Sequence, residues 1–386
     1  MPIQLRRVYL DTIRERYLNA PKKAKKLILD EFCMNCGYSR KYAIRILNGK
    51  ITPRSKKPGP EPVYDNSFVY HLHELWIAMN QICSKNMKAA LPLWLPYYGK
   101  ADARIEKLLV QVSPATIDRL LKPYKAGKVR GLSTTSPSLI KNKIPIQLLD
   151  SEITQAGFIE ADTVAHCGES LHGKYINTLT MTDLMSGWTE NRAVWSKEGE
   201  FIVNLIRDIE RDLPFKLLGF ACDNGTEFLN HDLHDYLVRR DEPVTFVRRR
   251  PYKKNDAAHV EQKNFTHVRQ LFGYERLENP QFVRIMNEIY RTLWNPLLNF
   301  FTPNLKLIKK EREGAKLRKT YDKPKTPYQR LMESEKLNPK EKAELREKMK
   351  AKNPFYLKEQ LESRLKIFSQ LLEEEKRIQK LRGKTG

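Results

Sequence analysis

Hydrophobic spacing divides the chain into two regimes, a helical period in the first third and an alternating one in the middle. From Lys25 to Asn48, Ile28 and Phe32 fall on one helix face, Cys36-Gly37 breaks the pattern, and Ser39 is placed to cap a helix carrying Ala43, Ile46 and Leu47. A second helical block starts near Ser67. It closes on a similar outline: Ile105, Leu108 and Leu109, Val112 at the turn, Ser113 as N-cap, Pro114 at the first helical position, then Ile117, Leu120 and Leu121. Each outline fits a helix-turn-helix, and each also fits a plain helical hairpin with a polar outer face. Residues 51–63, ITPRSKKPGPEPV, read as a linker, because proline removes backbone donors and fixes φ.

In the middle, Phe158–His166, Tyr175–Leu184 and Trp188–Trp195 read as three successive strands with turns at His172-Gly173 and Ser186-Gly187. A helix from about Glu198 to Asp212, a strand Phe215–Cys222, a helix near Glu227–Arg239, a short strand Val244–Val247 and a long helix from about Asn255 follow. Near the end, Leu357, Leu361, Leu365, Phe368 and Leu372 recur at helical spacing among charges. Such a helix needs an apolar partner, either the core or another protomer. The predicted divisions are a DNA-binding unit at 1–50, the linker 51–63, a second helical unit at 64–125, a connector at 126–143, an α/β core at 144–300 and a basic C-terminal region at 301–386.

Charge sharpens this division. The net charge of +24 splits into +16 for residues 1–150, −4 for 151–300 and +12 for 301–386. Basic wings around a mildly acidic centre suit a nucleic-acid enzyme, the wings meeting phosphate and the centre recruiting metal. A scaffold with a solvated basic surface is the plain alternative. Five scattered cysteines argue against a disulfide framework and for a reducing compartment, and Cys33-x-x-Cys36 lacks the second pair a zinc finger requires. No apolar run is long enough to span a membrane and no apolar signal core opens the chain, so the expected location is cytoplasmic, on the nucleoid.

Three acids carry the candidate chemistry: Asp162 in FIEADTVAH, Asp223 in LLGFACDNGTEF and Glu261 in NDAAHVEQKN. Brought together from two strands and a helix, they would suit two Mg²⁺ (or Mn²⁺) ions clamping the attacking and leaving oxygens of a phosphodiester. DNG is also a common turn, so Asp223 alone fits a helix cap. That does not explain Asp162 in an otherwise apolar strand, where an unpaired charge is costly. Asp183 is the rival carboxylate, read instead as forming the turn before Ser186-Gly187. His166 and His259 read as neighbours without a chemical role, and His231 and His234 as solvated or capping.

The strand and helix order is that of a ribonuclease-H-like fold, and specific strings support the likeness. CDNGTEFLN resembles the DNG-x-EF element of the retroviral-integrase and insertion-sequence transposase superfamily. RPYKKNDAAHVEQKNFTHVR is similar to the proline-led loop and glutamate-bearing helix that follow it there. MTDLMSGW resembles the second strand, and NFFTPNLKL and TPYQRL the closing segments. The resemblance covers roughly Ile144 to Leu331 and implies a DDE recombinase of bacterial insertion-sequence type, with Asp162, Asp223 and Glu261 as the metal-binding and catalytic triad. It departs from retroviral integrases in having no histidine before residue 70, so helix-turn-helix units stand where a zinc module would be. The implied activity is a transposase that binds terminal repeats, cleaves strands and transfers 3′-hydroxyls. The alternatives are a structure-specific nuclease of the same fold and a regulatory DNA-binding protein with a dead catalytic domain.

Double-stranded DNA is the expected partner, in a synaptic homo-oligomer. The residues expected to touch it are Arg40, Lys41 and Arg45 on the first recognition helix, Arg54, Lys56 and Lys57 in the linker, and Arg119 and Lys122 on the second unit. Arg248, Arg249, Arg250, Tyr252, Lys253 and Lys254 crowd cations beside the acidic site with a ring able to stack on a base, and Lys263 follows the glutamate. LKLIKKEREGAKLRKTYDKPK, with Lys and Arg clustered around Gly314, reads as a further extended DNA-contacting segment.

Overall fold

The computed structural model describes residues 3–49, 63–125, 153–195, 199–222, 225, 227–248, 263–313 and 316–382. The chain forms two compact units, Met1–Val63 and Tyr64–Gly386.

The first unit holds α1 (Ile3–Asn19), α2 (Lys22–Cys36) and α3 (Arg40–Asn48). Ile13, Tyr17, Ile28, Leu29, Phe32, Cys36, Ala43 and Leu47 form its core, so the residues read as the inner face of a helix-turn-helix do pack inward. Gly37 ends α2 in the left-handed region (φ 65°) and donates its N–H to Cys33 O. Only glycine adopts that conformation without steric cost, so the break at Cys36-Gly37 has a local cause. Cys36 is part of this core.

The second unit opens with α4 (Asn66–Ala78), α5 (Ser84–Trp94), α6 (Ala103–Gln111) and α7 (Pro114–Leu121). Ser113 caps α7 by accepting from Thr116 N, as expected, and Asp102 caps α6 by accepting from Ile105 N. These helices share one continuous core with the α/β part. Trp94 Nε1 donates to Phe301 O at 3.0 Å, and Trp94 and Tyr98 both pack on Phe355.

The α/β part contains β1 (Phe158–Ala165), β2 (Asn177–Asp183), β3 (Thr189–Val194), α8 (Gly199–Asp212), β4 (Gly219–Cys222), α9 (His231–Val238) and β5 (Thr245–Arg248). Among the described residues the strands form a five-stranded sheet in the order β3-β2-β1-β4-β5. β1, β2 and β3 pair antiparallel, while β4 joins β1, and β5 joins β4, in parallel. That order and polarity are the ones expected of a ribonuclease-H-like domain. Gly157 sets the start of β1: its φ is 112°, and a Cβ there would stand 2.3 Å from Lys216 O.

The sheet has one apolar and one polar face. Ile159, Ala161, Leu179 and Met181 belong to the core, together with Ile202, Ile206 and Ile209 of α8. The opposite face is built in rows across β1, β2 and β3: Glu160, Thr182 and Thr189; Asp162, Thr180 and Asn191; Val164, Thr178 and Ala193. Its hydroxyls and amides satisfy one another, Thr182 Oγ1 lying 3.1 Å from Thr189 Oγ1 and Asn191 Nδ2 donating to Thr180 Oγ1 at 2.9 Å. β1 alternates as its sequence pattern predicts, and Asp162 lies on its polar side among Thr180 and Asn191.

β3 is an edge strand, and asparagines seal it. They come from α10 (Gln281–Ile289), a π-helical segment Tyr290–Trp294 and α11 (Asn295–Phe301). Asn287 accepts from Ala193 N (2.6 Å) and donates to Ala193 O (2.9 Å). Asn299 does the same for Thr189 N and O, both at 2.9 Å. Between them Asn295 Nδ2 reaches Asn191 O (3.4 Å) and Glu190 Oε2 (2.7 Å). Asn287 and Asn299 each stand in for a peptide of a missing strand, which covers the edge against pairing with another chain. In an uninterrupted α-helix Asn287 and Asn295 would be roughly 80° apart around the axis. The wider π turn absorbs that offset and keeps them in line.

Beyond α11, β6 (Leu307–Glu313) and β7 (Lys316–Tyr321) form a two-stranded ribbon, followed by α12 (Pro327–Glu333), α13 (Pro339–Lys350) and α14 (Pro354–Arg382). Of the two fates open to the tail helix, packing on the core is the one observed. Leu357, Leu361 and Phe368 are buried, and Phe368 meets Phe272 and Phe282 edge-on or tilted.

Candidate active site

Asp162 sits two residues along β1 from the buried Glu160, on the polar face and half-exposed. Its Oδ1 accepts from Thr163 N at 2.8 Å, and its Oδ2 accepts from Asn264 Nδ2 at 2.6 Å. Both donors favour the ionised carboxylate and fix its plane. Asn264 opens a π-helical segment, Asn264–Arg269, running into Gln270–Phe272.

Two further elements converge here. Cys222, the last residue of β4, is the register partner of Ala161, so Asp162 and Asp223 are each the next residue in sequence after a paired position. Glu227 is tied to β1, its Oε1 accepting from Thr163 Oγ1 at 2.7 Å. Asn230 then fastens this segment to α9, donating to Glu227 O and accepting from Leu233 N, both at 2.8 Å. Asp223 and Glu261 themselves lie outside the described residues, as do Arg54, Lys56, Lys57, Arg249, Arg250, Tyr252, Lys253, Lys254 and His259. Among the described residues, no group of three His, Cys, Asp or Glu is placed to hold a metal ion.

Asp183 has the structural role read from the sequence. It is fully buried and accepts from Gly157 N (2.8 Å), Ser186 N (2.7 Å) and Ser186 Oγ (2.6 Å), which ties the β2–β3 turn to the start of β1. Burial pushes its carboxyl pKa up against the pull of those three donors. His166 is buried too, with Nε2 2.9 Å from Thr178 Oγ1, and burial lowers its pKa to about 3.

The expected DNA contacts fare unevenly. Arg40, Lys41, Arg45, Arg119 and Lys122 are exposed; Arg40 pairs with Asp30 and Arg45 lies over the Tyr42 ring. Arg248 is part of the sheet and not of a loop. It ends β5, 8% exposed. Lys263 is half-buried, and burial with the nearby Arg330 charge lowers its ammonium pKa to about 8. Asn264 faces Asp162. Glu160 and Glu227 were not singled out from sequence. The signal for Glu160 was its i, i+2 spacing from Asp162 on a strand, which puts two carboxylates on one face.

The sheet order and the polar face around Asp162 define a helical region joined to an α/β domain of ribonuclease-H-like topology. The chain is 33% identical over 334 residues to the uncharacterized protein y4rM of Sinorhizobium fredii, covering 83% of this chain and 93% of that one, and it belongs to that protein's family. No family model matches the sequence. Among solved structures it is similar to the catalytic core domain of BIV integrase, at 16% identity and a TM-score of 0.29, over 45% of this chain and 93% of that one. No described helix is long and apolar enough to cross a membrane.

Proposed function

We propose that this protein is a DDE-type transposase. It binds the terminal repeats of an insertion sequence through residues 1–125, and it cuts and joins DNA with Asp162, Asp223 and Glu261 around two divalent cations. The observation that carries the reading is the hydrogen bond from Asn264 to Asp162 at 2.6 Å, which brings the chain three residues beyond Glu261 onto the first acid. The β4 register supports it from the other side, since Cys222 precedes Asp223 and pairs beside Asp162.

An all-carboxylate donor set suits Mg²⁺ or Mn²⁺, both of which prefer oxygen. Bound there, such ions neutralise the phosphate and acidify the attacking water or 3′-hydroxyl. The protein's own contribution is geometric. Thr163 N and Asn264 Nδ2 each hold one oxygen of Asp162, and the Thr163–Glu227 bond fastens β1 to the segment that follows Asp223.

The test is cleavage and strand transfer by the purified full chain on duplexes carrying the sequences that flank its reading frame, with Mg²⁺ or Mn²⁺, against Glu261→Gln. Loss of both reactions with end binding retained supports the reading, and undiminished activity in the variant overturns it. Cleavage without joining of a supplied 3′ end would identify a nuclease of this fold. Binding with no metal-dependent reaction in the wild type would identify a regulator.

A further inference from the structure

The segment that brings Asn264 to Asp162 is fastened by elements from far along the chain. Asn264–Arg269 is π-helical and runs through Gln270–Phe272 to Gly273, which ends it at φ 72°. π turns are rare beside α turns, and helices in proteins owe most of their stability to tertiary packing. Three polar ties hold this one. Asn264 donates to Asp162, Arg269 Nη2 donates to Ala165 O at 2.8 Å, and Trp294 Nε1 donates to His267 O at 2.8 Å. Two of the three reach β1, so the segment and the strand bearing Asp162 are joined at two points.

The far end of the segment is held by rings. Phe272 is 5% exposed and meets His166 at 6.4 Å between centroids, Tyr290 at 5.3 Å and Phe368 at 5.0 Å. All three meet it edge-on. His166 follows β1 and Tyr290 opens the π-helical segment that helps to seal β3, whereas Phe368 comes from the tail helix α14. Phe368 also packs on Phe282 of α10 at 5.1 Å. α14 is itself braced along its length. Phe355 lies against Trp94 and Tyr98, Lys358 Nζ donates to Asn80 Oδ1 at 2.6 Å, Arg364 pairs with Glu288 at 3.1 Å, and Lys376 pairs with Glu275 at 2.7 Å. The helix therefore presents Phe368 from a fixed wall.

We propose that Phe368 is a positioning residue for the candidate active site: it closes the ring cage around Phe272 and so holds the π-helical segment from which Asn264 reaches Asp162. Edge-on ring pairs are directional, and a close-packed interior passes a displacement on to its neighbours. With the Phe368 ring gone, Phe272 is free to tilt, and the slack runs back along the segment to Asn264. The proposal rests on the transposase reading for what the site does, and on the packing alone for the coupling.

The experiment compares the full chain with Phe368→Ala, Phe368→Leu and the control Leu361→Ala, whose side chain is buried two turns earlier on the same face of α14. The first measurement is amide hydrogen exchange of Asn264–Phe272 without DNA or metal. Phe368→Ala is expected to speed that exchange about tenfold or more, as a local opening does, and Phe368→Leu less. Leu361→Ala is expected to leave it near wild type. The second measurement is a Mn²⁺ titration of cleavage on duplexes carrying the sequences that flank the reading frame. In Phe368→Ala the half-saturating metal concentration should rise about three- to tenfold, less than the loss of a direct outer-shell partner would cause. The rate at saturating metal should largely recover, metal-free DNA binding should stay unchanged, and Phe368→Leu should show a smaller rise. If Phe368→Ala does not fold, Phe368→Leu carries both measurements. Unchanged exchange in the Phe368 variants overturns the proposal, as does equal acceleration in Leu361→Ala. Faster exchange with an unshifted metal titration also overturns it, since Phe368 would then steady the segment without placing Asp162. A wild-type chain that cuts nothing removes the transposase reading instead, and exchange still decides whether Phe368 holds the segment.

Discussion

Asn264 Nδ2 donates to Asp162 Oδ2 across 2.6 Å, joining two residues 102 positions apart in the chain. The bond explains how a half-exposed carboxylate on a strand is held in one orientation. Asn264→Ala is expected to lower metal-dependent cleavage by one to two orders of magnitude, roughly the effect of losing an outer-shell partner of a metal ligand. End binding should stay near wild type. Rate and metal-titration curves on the same DNA check this: an unchanged rate at limiting metal would remove Asn264 from the site.

The asparagine seal on β3 makes a stability prediction. Asn299→Ala strands Thr189 N and O without a partner, at a cost of about 2–4 kcal/mol. Urea unfolding should register that loss. Chain association should rise in parallel, because the substitution reopens a strand edge.

Arg192 is 1% exposed and bonds to Glu190 (3.2 Å), Asp208 (3.1 Å) and Asp212 (2.6 Å). Arg192→Met leaves Glu190 buried without its cation, while Asp208 and Asp212 keep Arg211 and Arg291. The expected cost is about 3–5 kcal/mol at neutral pH. It should shrink as the pH falls and those carboxylates take up protons. A penalty independent of pH would show that packing, not charge, is what Arg192 supplies.

His166 sets part of the acid limb. Its pKa falls from the ordinary 6.5 to about 3 in the folded chain. Between those values the unfolded chain binds a proton that the folded chain does not, so stability falls as pH drops through this window. His166→Gln should flatten the stability profile there, read by denaturant melts at pH 7, 5.5 and 4.5. A parallel curve would mean that other groups govern the acid limb.

The alternating strands were legible because each has one face on α8 and α9 or on α10 and α11, and burial enforces the period. The helix boundaries in the first third were legible from Gly37 and from Ser113-Pro114, which act locally. Less was legible wherever partners come from far along the chain. Arg248 opens a run of cations in the sequence, and only its pairing with Cys222 reveals it as a strand residue. Nothing near Asn264 in sequence announces its bond to Asp162, 102 positions away. Nor does any local pattern reveal Asn287, Asn295 and Asn299 as the cover of one strand, since that strand, β3, lies far earlier in the chain.

The π turn Tyr290–Trp294 has the geometry of a healed insertion. Seven α-helical residues advance about 700°, which would leave Asn287 and Asn295 roughly 20° apart. Removing one exposed residue, Thr292, should therefore yield an unbroken α-helix that still lines the amides up against β3. Adding a residue there should throw them off the strand. Shortening there is thus expected to cost less than lengthening, the opposite of what its buried neighbours Tyr290, Leu293 and Trp294 would suggest.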